Sequence, residues 1–372
     1  MLRVAEPFID QDEKDAVADA MARAALSGHM QDYIVRFERG FAAYCGVEHG
    51  IGTNNGTTSI HLALAALGIG PGDEVLVSTY TNMATFFAVL YLGATPVPID
   101  CEPETWNMNP ALLERALTPH SRAIMPVHIF GHPVDMDSVL EIARARNLFV
   151  VEDAAQAHGA EYKGRKVGGL SDAASFSFYS NKVITTGEGG MVVTGNADVA
   201  ERCRAYRNLC YGRENRFMHE DVGFNYRLSN LHAAVGWAQV NKIDANVAKK
   251  RQIAGWYRER LKHRPELLLP VERPWARSVY WMYHIVLSPD CRIDRARIMA
   301  YLAEAGIETR PGFVPFNMQK IAIERGLAAA ADCPVANGLA DRAFYVPSGV
   351  GLTEDQVDMV ASALLKALGR PI

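Results

Sequence analysis

Cysteine is scarce in this chain and forms no recognisable pattern: six among 372 residues, at positions 45, 101, 203, 210, 291 and 333, with no CxxC pair. That spacing excludes the common zinc-ligand sets and a disulfide framework, and it reads as reduced, partly buried thiols. Long apolar runs are missing too, and none reaches the roughly 18 residues that a membrane span requires. The opening MLRVAEPFIDQDEKDAVADA lacks the apolar core of a signal peptide, so a cytoplasmic address is expected. Positive charge is not in excess. With 38 basic and 42 acidic residues interleaved and a net charge of -4, there is no footprint for nucleic acid or an anionic membrane. No GxGxxG opens a helix after a strand, and GIGPGD leads into a strand instead, which argues against a nicotinamide dehydrogenase. What is present is a globular composition, 49% hydrophobic and 22% charged, with length for about two to three domains. Small-molecule chemistry is the expectation.

A metal site is not expected. His128 and His132 stand four apart in PVHIFGHPVD, a spacing that puts two ligands on one helical face, but Gly131 and Pro133 oppose a helix there.

No repeat, low-complexity tract or long linker marks the boundaries, so they come from periodicity. Between about residues 50 and 195, short apolar segments alternate with helical ones. DEVLVST, ATPVPID, RAIMPVH, NLFVVED, AASFSFY and GGMVVTG read as strands, and SIHLALAALGI, NMATFFAVLYLG and MDSVLEIARARN as helices. This alternation predicts an α/β fold with a mostly parallel sheet covered by helices, whose ligands gather at the carboxyl ends of the strands. Residues 228–263 read as one or two long helices suited to bridging two domains. Beyond them, WMYHIVLS is a strand, DRARIMAYLAEAGI a helix, and TEDQVDMVASALLKAL a closing helix capped at Thr353. The expected division is 1–245 for the large domain and 246–372 for a smaller α+β domain, with the N-terminal helix expected to pack on the latter.

Four segments fall at predicted strand ends. SFSFYSNKVITTGEGG places Lys182 between small hydroxyl residues and Gly187, Gly189 and Gly190, glycines that permit tight turns and close backbone approach. Such a lysine is either simply solvated or a desolvated, reactive amine. In GTNNGTTSIHLALAALG, Gly56 and Thr57 open a helix, whose free N–H groups suit a phosphate as well as they suit a threonine cap. NLFVVEDAAQAHGA ends a buried strand on Glu152 and Asp153, where a carboxylate either caps the next element or meets a cation. VGFNYRLSN places Asn225 and Arg227 on a loop, and both are donors suited to anions. Together these pieces fit pyridoxal phosphate, which needs an amine, a carboxylate for its ring nitrogen and a phosphate cradle.

The segments EDAAQAHGA, FSFYSNKVITTGEGGM, VGFNYRLSN, GPGDEV and ATPVPID resemble the DegT/DnrJ/EryC1/StrS family of pyridoxal phosphate-dependent sugar aminotransferases, most closely its perosamine synthase-like members. The resemblance covers nearly the whole chain. It implies the aspartate aminotransferase-like fold (fold type I) and a homodimer with shared active sites. Lys182 would hold the cofactor through a Schiff base and act as the catalytic base. Asp153 would face the ring nitrogen, Gln156 the ring, and Gly56, Thr57 and Ser177 the phosphate, joined by Asn225 of the neighbouring subunit. The implied reaction moves an amino group from L-glutamate to a nucleotide-linked keto sugar, with a 4-keto-6-deoxyhexose as the expected substrate. His158 lies inside a matching motif with no assigned role.

The chain departs from the family in three places. Asn82 stands where relatives stack an aromatic residue on the cofactor ring, so either Tyr80 shifts in or the ring face is covered differently. In ETRPGFVPFN, Val314 and Asn317 stand where histidines are common in perosamine synthase-like members. SGHMQDYIVRFE lacks the aromatic and glycine pattern usual in the family's N-terminal loop and places His29 and Gln31 where substrate-loop residues are expected. Substrate contacts are accordingly expected from His29, Tyr80, Glu188, Arg227, Phe313 and Asn317. The alternatives are a 3-keto or non-nucleotide keto sugar substrate, and a non-catalytic regulatory protein that binds the cofactor. A sugar dehydratase is opposed by Lys182, since the family's dehydratases replace that lysine with histidine.

Overall fold

The computed structural model describes residues 1–28, 32–212 and 214–369. Its large sheet has seven strands: β1 (His49–Thr53), β2 (Glu74–Ser78), β3 (Thr95–Ile99), β4 (Ser121–Met125), β5 (Phe149–Asp153), β6 (Ala173–Ser177) and β7 (Gly190–Thr194). They lie in the order β1-β7-β6-β5-β4-β2-β3. The pairs from β6 to β3 are parallel, while β7 is antiparallel to both neighbours, so it alone runs against the rest. Segments such as EVLVS, FVVED and AASFS are buried along almost their full length, which is why they read as apolar runs without alternation.

Helices α1 (Gln11–Ala22), α2 (Asp32–Cys45), α3 (Gly56–Ala66), α4 (Met83–Tyr91), α5 (Met136–Arg146) and α6 (Ala197–Arg207) belong to this part of the chain. The six predicted strands and three predicted helices are all present. In the large sheet the unpredicted strand is β1, HGIGT, whose two glycines give it little strand propensity; it forms by pairing with β7.

The region read as one or two long helices is two, α7 (Asn230–Val240) and α8 (Ile243–Leu261). Ser229 caps the first by accepting from the His232 N–H. Along α8 the packing changes partner. Ile243 and Val247 join the core beneath the large sheet, whereas Ile253, Ala254, Tyr257 and Leu261 join a separate core. That second core lies around an antiparallel sheet of β8 (Leu267–Leu268), β9 (Tyr283–Leu287), β10 (Arg310–Pro311) and β11 (Ala343–Val346), in the order β8-β9-β11-β10. Helices α9 (Arg295–Glu304), α10 (Pro334–Arg342) and α11 (Glu354–Gly369) follow the same stretch of chain. Thr353 and Gln356 cap the last of these reciprocally.

The N-terminal segment differs from expectation. Helix α1 packs on α7, with Glu13 accepting from Gln239 Nε2 at 2.6 Å and Lys242 Nζ at 2.8 Å. The extended residues before it make the link to the smaller part. The Leu2 N–H donates to the Gly306 carbonyl at 2.7 Å and the Glu308 N–H to the Leu2 carbonyl at 2.9 Å. Among the described residues no helix is long and apolar enough to cross a membrane.

Candidate active site

A cleft of about 350 Å³ opens where β5, β6 and the segment after β2 end and α3 begins, and the β10–β11 side of the smaller sheet closes it. Asp153 is the last residue of β5 and is buried at 3% exposure. The Thr85 hydroxyl donates to its Oδ2 at 2.8 Å and the Ala155 N–H to its Oδ1 at 3.1 Å. Two donors leave lone pairs on a carboxylate that lines the cleft. Burial raises its pKa against those hydrogen bonds and the nearby Lys182. Behind it Glu152 is fully enclosed and accepts from His128, Gly168, Leu170 and Ser171. The His128 Nδ1 accepts from the Val134 N–H at 3.0 Å, so Nε2 carries the proton given to Glu152. The two adjacent acids are therefore unlike: Glu152 is saturated with donors and braces the strand end, while Asp153 faces the cleft.

Lys182 lies on the turn between β6 and β7, where its N–H donates to the Tyr179 carbonyl at 3.0 Å. Its Nζ is 3.8 Å from the centroid of the Trp281 indole, which donates from Nε1 to the Asn181 carbonyl at 2.8 Å. Desolvation brings the amine down to about 7, opposed by the charge of Asp153. The glycines of this turn are used for close approach. A Cβ on Gly190 would stand 2.2 Å from the Asn55 carbonyl oxygen, and Gly187 has φ +82°.

The far side of the cleft is the N-terminus of α3. Asn55 caps it, accepting from the Thr58 N–H at 2.9 Å, and by helix geometry the first-turn N–H groups of Gly56 and Thr57 have no intrahelical acceptor. A Cβ on Gly56 would be 2.7 Å from Ser177 Cβ, so glycine is what lets the helix start press against the end of β6.

The cleft brings together Lys182, Gly56, Thr57, Asn82, Asp153, Gln156, Ser177, Glu188 and Phe313 of the residues chosen from sequence. Asn82 is exposed and committed as the cap of α4, accepting from the Ala84 N–H at 2.9 Å. Gln156 accepts from the Phe130 N–H at 2.7 Å. Tyr80 is not on the cleft wall: it is 1% exposed, with its hydroxyl 3.0 Å from His284 Nε2 in an aromatic cluster that includes Phe130 and Phe313. Burial of this large ring holds it in the core. Asn317 is also buried away from the cleft, accepting from Thr79 Oγ1 at 3.0 Å and donating to Asn337 Oδ1 at 2.8 Å. Arg227 donates to Asn208 Oδ1 at 2.7 Å outside the cleft, and Asn225 is exposed beside it, paired through its backbone with Asn208. His29 and Gln31 lie outside the described residues. His158 is buried among Phe41, Phe176 and Phe178 and kept neutral, its pKa pushed down to about 3 by burial.

Sequence reasoning missed Thr85, Trp281, Arg310 and Tyr345, which also line the cleft. Thr85 carries a weak signal, as a hydroxyl in the first turn of a helix that starts at a strand end. The others come from the smaller part of the chain, and no local pattern points to them. Among the described residues there is no His, Cys, Asp and Glu grouping suited to a metal ion.

Comparisons with known proteins identify the family. Residues 7–365 match the DegT/DnrJ/EryC1/StrS aminotransferase family, and the chain belongs to it. It is 42% identical to the GDP-perosamine synthase of Caulobacter vibrioides over 99% of this chain and 98% of that one. It is 38% identical to the dTDP-3-amino-3,4,6-trideoxy-alpha-D-glucose transaminase of Streptomyces venezuelae, covering 96% of this chain and 95% of the other. Among solved structures, S. venezuelae DesV in complex with a ketimine intermediate superposes with a TM-score of 0.90 at 36% identity, over 97% of this chain and 95% of that chain. The fold is that of the sugar aminotransferases, in agreement with the expectation from sequence.

Proposed function

We propose that this chain transfers an amino group from L-glutamate to a nucleotide-linked keto sugar, using pyridoxal phosphate held in the cleft around Lys182. The observation that carries the reading is one cleft lined by a desolvated lysine, a buried carboxylate with lone pairs to spare and a helix N-terminus pressed against a serine. Each fits one part of the cofactor. The Asp153 carboxylate, raised by burial, gains a cation from a protonated ring nitrogen. The first-turn N–H groups of α3 and the Ser177 hydroxyl suit a phosphate.

When bound, pyridoxal phosphate supplies an aldehyde for the lysine amine and a protonated ring that accepts the electron pair released at the donor's α carbon. Asp153 would keep a proton on the ring nitrogen, and Thr85 holds the aspartate in place. Gly56, Thr57 and Ser177 would bind the phosphate, with Asn225 of the neighbouring subunit completing the site of the proposed homodimer. Lys182 Nζ would hold the cofactor and, as a free amine, would take the proton from the donor's α carbon and deliver it to the cofactor. An amine pKa of about 7 leaves much of it neutral at neutral pH, as a base requires. Trp281 closes one side of that amine against water. Arg310 lines the mouth beside Tyr345 and is suited to the carboxylate of the donor or the phosphates of a nucleotide sugar.

The sugar is proposed as a 4-keto-6-deoxyhexose, in keeping with the relatives named as GDP-perosamine synthases at 34–42% identity. A 3-keto sugar is the second reading, supported by the relative named for a 3-amino product. The division near residue 245 is likewise a proposal, supported by the change of core along α8. A panel of GDP- and dTDP-linked 4-keto and 3-keto sugars, assayed with L-glutamate for 2-oxoglutarate release, tests the substrate. Turnover with a GDP-linked 4-keto sugar is expected, and turnover confined to the 3-keto arm would replace the first reading by the second.

A further inference from the structure

A second lysine without a role in this chemistry reaches the main chain of Trp281. Lys250, on α8, is 4% exposed, and no carboxylate stands within ion-pair distance of it among the described residues. Burying a cation without a counter-ion costs far more than burying an apolar side chain of the same length, so a methionine or leucine there would serve packing better. Its surroundings are three oxygen acceptors. Nζ donates to the Trp281 carbonyl at 2.5 Å, to the Ser348 carbonyl, and to Ser348 Oγ at 3.4 Å. Three acceptors match the three N–H bonds of an ammonium and exceed the two of a neutral amine.

These contacts converge on the wall of the cleft. The backbone of Trp281 is held on one side by its N–H to the Phe130 carbonyl at 2.9 Å and on the other by Lys250. Ser348 is tied in turn to the Tyr283 N–H at 3.1 Å and, through its own N–H, to the Val4 carbonyl at 2.9 Å. A small pocket touches both lysines: Lys182, Asn181 and Trp281 line it as they line the cleft, together with Lys250, Gln239 and Glu6. Trp281 thus meets both lysines, the Lys182 amine over its indole and the Lys250 amine at its main-chain carbonyl.

We propose that Lys250 is a positioning residue for Lys182: by joining the carbonyls of Trp281 and Ser348 it fixes the indole against the Lys182 amine and keeps that amine out of water. The inference rests on the reading of Lys182 as an enclosed, reactive amine. It explains why a lysine is kept in a buried place, because only a multiple donor ties α8, the segment before β9 and the segment after β11 at one point. Desolvation brings Lys250 itself down to about 7, so the amine loses one of its donors as pH rises through neutrality.

The test uses cofactor-free protein, in which each lysine is acetylated competitively across a pH series and the Lys182 peptide is read by mass spectrometry. In the wild type the labelling midpoint of Lys182 is expected near 7, and a midpoint at the ordinary 10.5 would contradict the enclosed-amine reading before any variant is made. Lys250→Met is expected to raise the midpoint by about one pH unit or more as water reaches the amine. Trp281→Ala should raise it similarly, and adding Lys250→Met to that variant should raise it no further. Lys250→Gln, which retains N–H donors, should restore part of the shift. A folded Lys250→Met protein with an unmoved midpoint, or full additivity in the double variant, overturns the inference while leaving the site reading intact. Should Lys250→Met not fold, Trp281→Ala decides: an unmoved midpoint there overturns it equally.

Discussion

Thr85 Oγ1 donates to Asp153 Oδ2 at 2.8 Å, joining the first turn of α4 to the end of β5. The hydroxyl is the side-chain donor of a carboxylate whose other protein donor is the Ala155 backbone. Thr85→Val keeps the shape and removes the donor. A hydrogen bond to a charged group contributes about 1.5–3 kcal/mol, so cofactor affinity should fall roughly tenfold to a hundredfold. Titration of the cofactor into the variant checks this, and unchanged affinity would mean that Asp153 needs no such support.

Gly56 tests the phosphate cradle. An added methyl would stand 2.7 Å from Ser177 Cβ, an atom with no rotamer to escape through. Gly56→Ala should cost about 1–3 kcal/mol of stability, measured by denaturant unfolding, and should weaken binding of inorganic phosphate and cofactor alike. A variant of wild-type stability that binds both normally would show that the close contact is dispensable.

The shared site of the proposed homodimer has a complementation test. Asn225 is exposed and does not line the cleft of its own chain. Lys182→Ala and Asn225→Ala proteins should each have little activity alone. After mixing and subunit exchange, half of the sites in hybrid dimers recover both Lys182 and Asn225. Activity above the sum of the separate proteins is expected, and strict additivity would place Asn225 outside the partner's site.

Stability of the cofactor-free protein should depend on pH through Lys182. The folded amine releases its proton near pH 7, while the unfolded chain holds it to about 10.5. Between those values the unfolded state binds more protons, so stability rises with pH across that window. Lys182→Met removes the effect. The variant should exceed the wild type most below pH 7, with the difference closing by about pH 10.5. A difference independent of pH, measured by urea unfolding at several pH values, would mean that the amine is not desolvated.

How much of this was legible in the sequence depended on where each residue's partners lie in the chain. Asp153, Ser177 and Gly56 sit where an apolar run stops or a helix begins, and strand ends converge in a sheet of this topology, so their meeting could be read directly. Lys182 was marked by its glycines. Trp281, Arg310 and Lys250 come from segments more than 60 residues downstream of Lys182, whose position follows from how the second core docks. Tyr80 and Asn317 show the converse limit. Both are near the site in sequence terms, yet a phenol with His284 and an amide with Thr79 and Asn337 find buried partners, and tertiary hydrogen bonding decides their direction. The strand HGIGT was invisible because its glycines carry no pattern and its partner lies some 140 residues away.

The central claim is that Lys182 holds pyridoxal phosphate and that glutamate reacts there. The most direct measurement is the visible absorption of the purified protein with pyridoxal phosphate, before and after L-glutamate, beside Lys182→Ala. A yellow band in the wild type that bleaches on adding glutamate, with neither band nor turnover in the variant, is the predicted result. A wild-type protein with no such band, or a variant that retains steady-state transamination, would contradict the account.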